Sequence, residues 1–201
     1  MKSGSFFFDF SSPFAYLAST QIESVATRHD AVVIYKPFLL GALFKTIGTP
    51  NVPLHAMPEA KARLYRADLF RWADAWGVPF HFATRFPMNT VKPLRLVLAA
   101  PNDKKVDLIR NIYRAYWVDD RDISNDDVLK NILECSGFAP EFVQAAADDR
   151  YRQALREATE EAERLGLCGV PSFLVGDQLF WGQDRLHFVE KALDGWCPRI
   201  G

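Results

Sequence analysis

The sequence predicts an α/β fold whose two halves are separated by a block of helices. Three observations support this prediction. Residues 5–35 alternate in the order strand, helix, strand; residues 58–165 show helical periodicity; and residues 172–193 show two strands followed by a helix. Hydrophobic spacing carries this signal, because buried positions recur every two residues in a strand and every three or four in a helix.

The first unit combines an aromatic strand with a helix that starts at a serine–proline pair. Residues 5–10 form a short apolar run typical of a buried strand. Ser12 and Pro13 follow, and a hydroxyl cap before a proline commonly starts a helix. Apolar residues then recur at helical spacing up to Val25, and residues 31–35 form a β-branched strand. Such a strand–helix–strand unit is expected to be a right-handed parallel crossover.

The middle of the chain is predicted to be helical after an initial loop. The loop is expected after Gly41 and contains the turn residues 48–53. A long amphipathic helix is then expected from Pro58 to Trp76, because apolar residues share one face and Gly77 can end it.

Further helices follow the long one. Ser124 and Asp127 resemble a capping box, in which two side chains satisfy free backbone N–H groups at a helix start. Pro140 is expected to open a short helix, and residues 148–165 are expected to form a charged helix stopped by Gly166.

The end of the chain returns to strands. Residues 172–175 and 178–181 are apolar and flank Gly176 and Asp177, a pattern that predicts a β-hairpin with a tight turn. Residues 186–193 are expected to form the last helix.

Without the helical block, a parallel unit followed by an antiparallel hairpin is the thioredoxin pattern. We therefore expect residues 1–38 and 150–201 to form a discontinuous thioredoxin-like domain. Residues 39–149 are expected to form an inserted helical domain.

Composition excludes several classes of function. The 24 Lys and Arg residues balance 25 Asp and Glu residues without a basic stripe, which argues against nucleic-acid binding. No apolar run approaches the roughly 20 residues that a membrane span needs. The apolar stretch near the start is short and interrupted by Asp9, so we expect a cytoplasmic protein without a signal peptide. The three cysteines and four histidines are scattered, so no metal site is expected.

Three short motifs are candidates for binding chemistry, and each has a simpler structural alternative. Ser12 follows a strand and starts a helix, where ligands often bind in α/β folds, but it is also a plausible helix cap. Pro171 enters a strand, which suggests a cis bond that exposes the backbone of Val170, or an ordinary strand start. Asp184 precedes the last helix and is suited either to cap it or to bind the ammonium group of a ligand.

Taken together, the segments 8–18, 169–173 and 181–186 resemble the 2-hydroxychromene-2-carboxylate isomerase family. That family is similar to kappa-class glutathione transferases, and both belong with the DsbA-type disulfide oxidoreductases. The resemblance covers essentially the whole chain. Redox members carry Cys-x-x-Cys where this chain has Ser12 and Ala15, so both sulfurs needed for disulfide exchange at that position are missing.

The resemblance implies that glutathione is the cofactor and that Ser12 is the catalytic residue, which stabilises the glutathione thiolate. Val170 is expected to contact the cysteine backbone of glutathione. Its γ-glutamyl end is expected to be held by four consecutive residues: Trp181, Gly182, Gln183 and Asp184.

The resemblance also implies a small aromatic carboxylate as the substrate, in catabolism of the naphthalene type. Lys45, Asn51 and Phe86 are the expected substrate contacts, and Phe86 stands where the isomerases have a tyrosine. A homodimer is expected. Two alternatives are a kappa-like glutathione transferase acting on another electrophile, and a redox-inactive thioredoxin-like binding module.

Overall fold

The computed structural model describes residues 2–198, which include a four-stranded sheet. The strands are β1 (Lys2–Phe8), β2 (Ala31–Pro37), β3 (Ser172–Val175) and β4 (Gln178–Trp181), in the order β2-β1-β3-β4. β1 runs parallel to β2 and antiparallel to β3, and β3 pairs antiparallel with β4. A parallel unit followed by an antiparallel hairpin confirms the predicted thioredoxin topology.

The first predicted helix is in fact two helices, α1 (Pro13–Ser19) and α2 (Ile22–Arg28), and β1 ends at Phe8 rather than at residue 10. The helices are separated near Thr20, whose hydroxyl donates to the Leu17 carbonyl over 2.7 Å. A side-chain hydroxyl that donates to a carbonyl of the helix competes with the backbone N–H groups that would continue the helix. The prediction of one continuous helix was therefore wrong.

The chain between β2 and β3 is helical. Its α-helices are α3 (Leu40–Thr46), α4 (Pro53–Ala56), α5 (Glu59–Ala75), α6 (Val91–Ala99), α7 (Asn102–Trp117), α8 (Asp126–Cys135) and α9 (Asp149–Arg164), and a 3₁₀ helix spans Pro140–Ala147. α5 confirms the long helix predicted from residue 58 to residue 76.

α3 occupies part of the region predicted to be a loop after Gly41, so that prediction was wrong. The helix buries Leu40, Leu43 and Phe44, which lie on one face at a spacing of three and four residues. The turn residues begin only at Gly48, beyond the end of this helix.

The predicted capping box at Ser124 is a different arrangement. Asn125 is the N-cap of α8, and its side-chain oxygen accepts the N–H groups of Asp127 and Val128 over 2.8 and 3.3 Å. The Ser124 hydroxyl instead donates to Asp122 over 2.6 Å. Because asparagine caps as well as serine does, a one-residue error leaves the helix start nearly unchanged.

The C-terminal elements agree with the sequence prediction. β3 and β4 form a hairpin around Gly176, whose φ of +61° is in the left-handed region that the turn requires. A short 3₁₀ helix at Gln183–Arg185 leads into α10 (Leu186–Leu193), which has the predicted bounds.

Aromatic residues join the sheet to the helical block. Phe8 of β1 and Phe10 contact the ring of Tyr113 on α7, with centroid separations of 6.0 and 4.8 Å. The Trp117 indole N–H donates to the Phe10 carbonyl over 2.9 Å. The helices therefore pack directly on the carboxyl end of β1, where the first candidate motif lies.

Two further features concern residues 2–198 as a whole. Within that range no helix is long and apolar enough to cross a bilayer. The same range contains no group of three or more His, Cys, Asp or Glu side chains that could hold a metal ion. The boundary of the inserted helical domain at residues 39 and 149 stays a prediction.

Candidate active site

Ser12 lies at the junction of α1 with the strand-entry loop of β3. It is the N-cap of α1, where its side-chain oxygen accepts the Ala15 N–H over 3.2 Å. The Ser12 hydroxyl also donates to the Val170 carbonyl over 3.3 Å, across 158 positions of sequence. The structure therefore brings the first two candidate motifs into direct contact and leaves Ser12 only 8% exposed.

The loop that carries Ser12 is held by Asp9, which is fully buried. The Asp9 carboxylate accepts the N–H of Ser11 and the N–H of Leu40, each over 2.9 Å. The Asp9 carbonyl accepts the Ser12 N–H over 3.2 Å. Burial raises the pKa of Asp9, although the bonds from the two N–H groups act in the opposite direction. Asp9 therefore ties the serine loop to the first residue of α3.

Asp9 was not among the functional residues predicted from the sequence. The signal that marks it is an acidic residue inside an aromatic run, at the end of a strand predicted to be buried. A buried carboxylate requires hydrogen-bond partners, and backbone N–H groups at the start of another element are suitable donors.

The Val170–Pro171 peptide bond is cis, as the sequence suggested. The Pro171 carbonyl accepts the Gly182 N–H over 2.9 Å, which joins the strand-entry loop of β3 to the end of β4. The Trp181 indole lies against Gly169, where an added Cβ would stand 2.8 Å from Nε1. The second and third candidate motifs therefore form one continuous surface.

The turn after β4 places its polar residues beside α1. Gln183 is buried, whereas the Asp184 carboxylate is partly exposed and pairs with the adjacent Arg185. Gly182 has a φ of +108°, and a Cβ added there would stand 2.5 Å from Asp184 Oδ1. The 3₁₀ helix at Gln183–Arg185 packs against α1. The four predicted γ-glutamyl contacts thus lie at the end of the hairpin, next to the helix that Ser12 starts.

The three predicted substrate residues are placed differently from one another. Lys45 is exposed in the last turn of α3. Asn51 lies against the first turn of the same helix, with Oδ1 at 2.7 Å from the position of a Cβ on Gly41. Phe86 lies elsewhere, in contact with the rings of His55 and Phe82.

Phe86 lines a pocket of about 400 Å³ on the helical block, which we call the aromatic pocket. Its lining consists of Leu54, His55, Arg66, Phe70, Phe82, Ala83, Thr84 and Phe86, so Lys45 and Asn51 are not part of it. A pocket of this size, lined by aromatic rings and a few polar side chains, is a reasonable candidate for a small-molecule site. The sequence does not indicate Arg66, Phe70 or Phe82 as site residues, because α5 and the 82–86 loop become neighbours only in the fold.

Two chains of contacts connect the aromatic pocket to the serine loop. Phe82 and Phe86 contact the Trp117 ring with centroid separations of 5.9 and 6.0 Å, and Trp117 donates to the Phe10 carbonyl. On the other side, Phe14 of α1 packs edge-on against Tyr65, the neighbour of Arg66, at 4.9 Å.

Comparison with known proteins identifies relatives along nearly the full chain. The model of a family described as DSBA-like thioredoxin domain matches residues 5–194. A 2-hydroxychromene-2-carboxylate isomerase from Sphingobium xenophagum is 31% identical over 197 residues, which cover 96% of this chain and 98% of the relative. Glutathione S-transferase kappa 1 from Caenorhabditis elegans is 30% identical over 205 residues, which cover 94% of this chain and 89% of the relative.

A comparison with solved structures supports the same fold. A solved structure of 2-hydroxychromene-2-carboxylate isomerase superposes with a TM-score of 0.87 at 23% sequence identity, covering 96% of this chain and 95% of that one. At this identity the superposition shows a shared fold.

Proposed function

This chain belongs to the DSBA-like thioredoxin domain family, and within that family we propose that it is a glutathione-dependent isomerase. Its proposed reaction interconverts 2-hydroxychromene-2-carboxylate and trans-o-hydroxybenzylidenepyruvate. The observation that carries the proposal is the hydrogen bond from Ser12 to Val170, at the helix start where redox relatives have a cysteine. A hydroxyl in that place can bind a thiolate but cannot form a disulfide.

Glutathione is proposed to bind along the surface formed by the three motifs. Its cysteine would lie beside Val170, and its γ-glutamyl end would lie on the turn from Trp181 to Asp184. In the free protein the Ser12 hydroxyl donates to the Val170 carbonyl. On binding, we expect this hydroxyl to turn to the thiolate, so that the Val170 carbonyl is free to accept an N–H from the glutathione backbone. The Ser12 hydroxyl and the Val170 carbonyl would thereby each keep a hydrogen-bond partner.

The proposed mechanism produces no net redox change. The hemiketal ring opens to a benzylidenepyruvate, and the glutathione thiolate adds to the conjugated carbon. The electron pair of the double bond moves to the carbonyl as an enolate, so that the former double bond becomes single and can rotate. Collapse of the enolate expels the thiolate and leaves the trans double bond. Ser12 would stabilise the thiolate before addition and after elimination.

Substrate binding is proposed to involve the helical block. Phe86 supplies an apolar ring face within the aromatic pocket, and Lys45 and Asn51 on or beside α3 supply polar contacts. The kappa-class relative favours a second candidate function, conjugation of glutathione to a different electrophile. The two functions share the glutathione site and differ in what the helical block accepts.

The test follows conversion of 2-hydroxychromene-2-carboxylate by ultraviolet absorbance, with glutathione, without it, and with S-methylglutathione as a control that lacks the nucleophile. We expect saturable conversion with glutathione only. Equal rates in all three conditions would refute glutathione dependence. Glutathione binding without conversion, together with conjugation of 1-chloro-2,4-dinitrobenzene, would establish the transferase instead.

Gly182→Ala is expected to lower the free energy of unfolding by about 1–3 kcal/mol, because its φ of +108° lies in a region that only glycine adopts readily. It should also weaken glutathione binding, since the added Cβ displaces the Asp184 carboxylate. Urea denaturation and calorimetric titration with glutathione measure the two effects. Gly166→Ala is the control, because its φ of +77° is left-handed but no atom lies within 4 Å of the added Cβ. Unchanged glutathione affinity in Gly182→Ala would contradict the proposed role of this turn.

A further inference from the structure

We propose that Arg66 is the residue of the aromatic pocket that binds the substrate carboxylate, and that it thereby selects planar aromatic monocarboxylates over their neutral analogues. This inference rests on the proposed function, which needs an anionic aromatic substrate, and it assigns the anion to a residue that the family resemblance did not indicate. Arg66 is on α5 and lines the pocket together with three phenylalanines, Phe70, Phe82 and Phe86.

The charge of Arg66 is available to a ligand. Within residues 2–198 its guanidinium forms no salt bridge, whereas Arg71 on the same helix pairs with Asp68 over 2.7 Å. The Arg66 guanidinium lies 5.9 Å from the centre of the Phe82 ring. An arginine held over an aromatic face keeps its charge and its outward-facing N–H donors. It is therefore available to form paired hydrogen bonds with a carboxylate.

Aromatic rings form the walls of the pocket around that charge. The rings of Phe82 and Phe86 are 5.2 Å apart at an angle of 60°, and Phe70 adds a third ring that is half exposed. Such walls favour a flat apolar ligand. Beside Arg66, the other polar side chains that line the pocket are His55 and Thr84.

Asp120, an acidic group bonded to the pocket residue Thr84, already has hydrogen-bond partners. Asp120 accepts both the N–H and the hydroxyl of Thr84, over 2.9 and 2.7 Å, and lies 3.8 Å from His81. The bonds from Thr84 lower the pKa of Asp120, so this carboxylate stays ionised and bound to the loop. Within residues 2–198 Asp120 forms no salt bridge with Arg66, so it does not occupy that guanidinium.

Lys45 is the competing candidate for the carboxylate. Like Arg66 it is exposed, but it lies at the end of α3 and does not line the aromatic pocket. A ligand whose ring lies against Phe82 and Phe86 can reach Arg66 within the same pocket. The geometry therefore favours Arg66 as the anion-binding residue for a ring bound there.

The test measures binding of trans-cinnamate and trans-cinnamamide, which differ in charge but hardly in shape, by isothermal titration calorimetry without glutathione. We expect the wild-type protein to bind cinnamate more tightly than cinnamamide. R66Q should weaken cinnamate binding about tenfold to hundredfold, the range that the loss of a charged hydrogen bond implies, and leave cinnamamide binding unchanged.

R63Q is the matched control, because Arg63 is exposed on the same helix but does not line the pocket. K45Q tests the competing residue. Equal cinnamate affinity in R66Q and wild type would overturn the inference. It would also be overturned if only K45Q lost the preference for cinnamate over cinnamamide, or if the wild-type protein lacked that preference. Thermal melting of each variant verifies that it is folded. Calorimetry measures binding and requires no turnover. The result therefore decides the role of Arg66 even if the protein shows no isomerase activity.

Discussion

Ser12→Ala is expected to lower kcat/KM for glutathione-dependent isomerisation about 100-fold to 1,000-fold, the effect of removing one hydrogen-bond donor from a developing anion. The hydroxyl of Ser12 is the group that contacts Val170 at the proposed thiolate position. Without it, the bound thiol should ionise less readily. Steady-state kinetics measure the first effect, and the thiolate absorbance of the glutathione complex near 240 nm as a function of pH measures the second.

Loss of the helix cap has to be separated from loss of the thiolate contact. Ser12 caps α1, and removing such a cap costs about 1 kcal/mol of stability. Asn125→Ala removes the cap of α8, a different helix with the same type of side-chain bond. We expect Asn125→Ala to lose comparable stability and to keep its activity. Ser12 would be a structural residue only if Ser12→Ala kept near wild-type kcat/KM. The same would follow if its kcat/KM fell no further than that of Asn125→Ala.

Asp9→Ala is expected to lower the free energy of unfolding by about 2–4 kcal/mol, because one buried and one part-buried backbone N–H group would lose their shared, fully buried acceptor. The groups belong to Ser11 and Leu40, which start the serine loop and α3. Their release should also lower isomerase activity, since Ser12 is bonded to the Asp9 carbonyl in the same loop. Urea denaturation gives the stability, and the midpoint should fall with little change in the slope.

Two further variants show whether burial is responsible for the size of this effect. Asp9→Asn keeps one acceptor but turns an NH₂ group towards the second N–H, so we expect an intermediate loss. Asp122→Ala removes a similar acceptor, which binds the Ser124 N–H over 3.0 Å, but at a partly exposed position. Water can replace that bond, so the cost should stay below about 1 kcal/mol. An Asp9→Ala protein that unfolds at the wild-type urea concentration would show that other contacts hold the loop.

Several elements could be predicted because their signals are local. The β3–β4 hairpin follows from Gly176 and Asp177 between two apolar runs, and α10 has the bounds that its flanking residues predict. The thioredoxin topology then follows from the order of these elements. The missed start of α3 has a long-range physical cause. The start of α3 depends on the Asp9 carboxylate, which is 31 positions away in sequence, and a local pattern of turn residues carries no record of it.

Some features of the candidate site follow from local sequence, and others follow only from contacts between distant segments. The sequence by itself determined that Ser12 starts a helix, that Pro171 enters a strand and that no cysteine stands at position 12 or 15, because these properties belong to single residues and their neighbours. Only the tertiary structure decided that Ser12 reaches Val170, that Asp9 joins two loops and that Arg66 shares a pocket with Phe82 and Phe86. Those contacts arise from packing between distant segments, where burial and geometry act together and spacing along the chain has no influence.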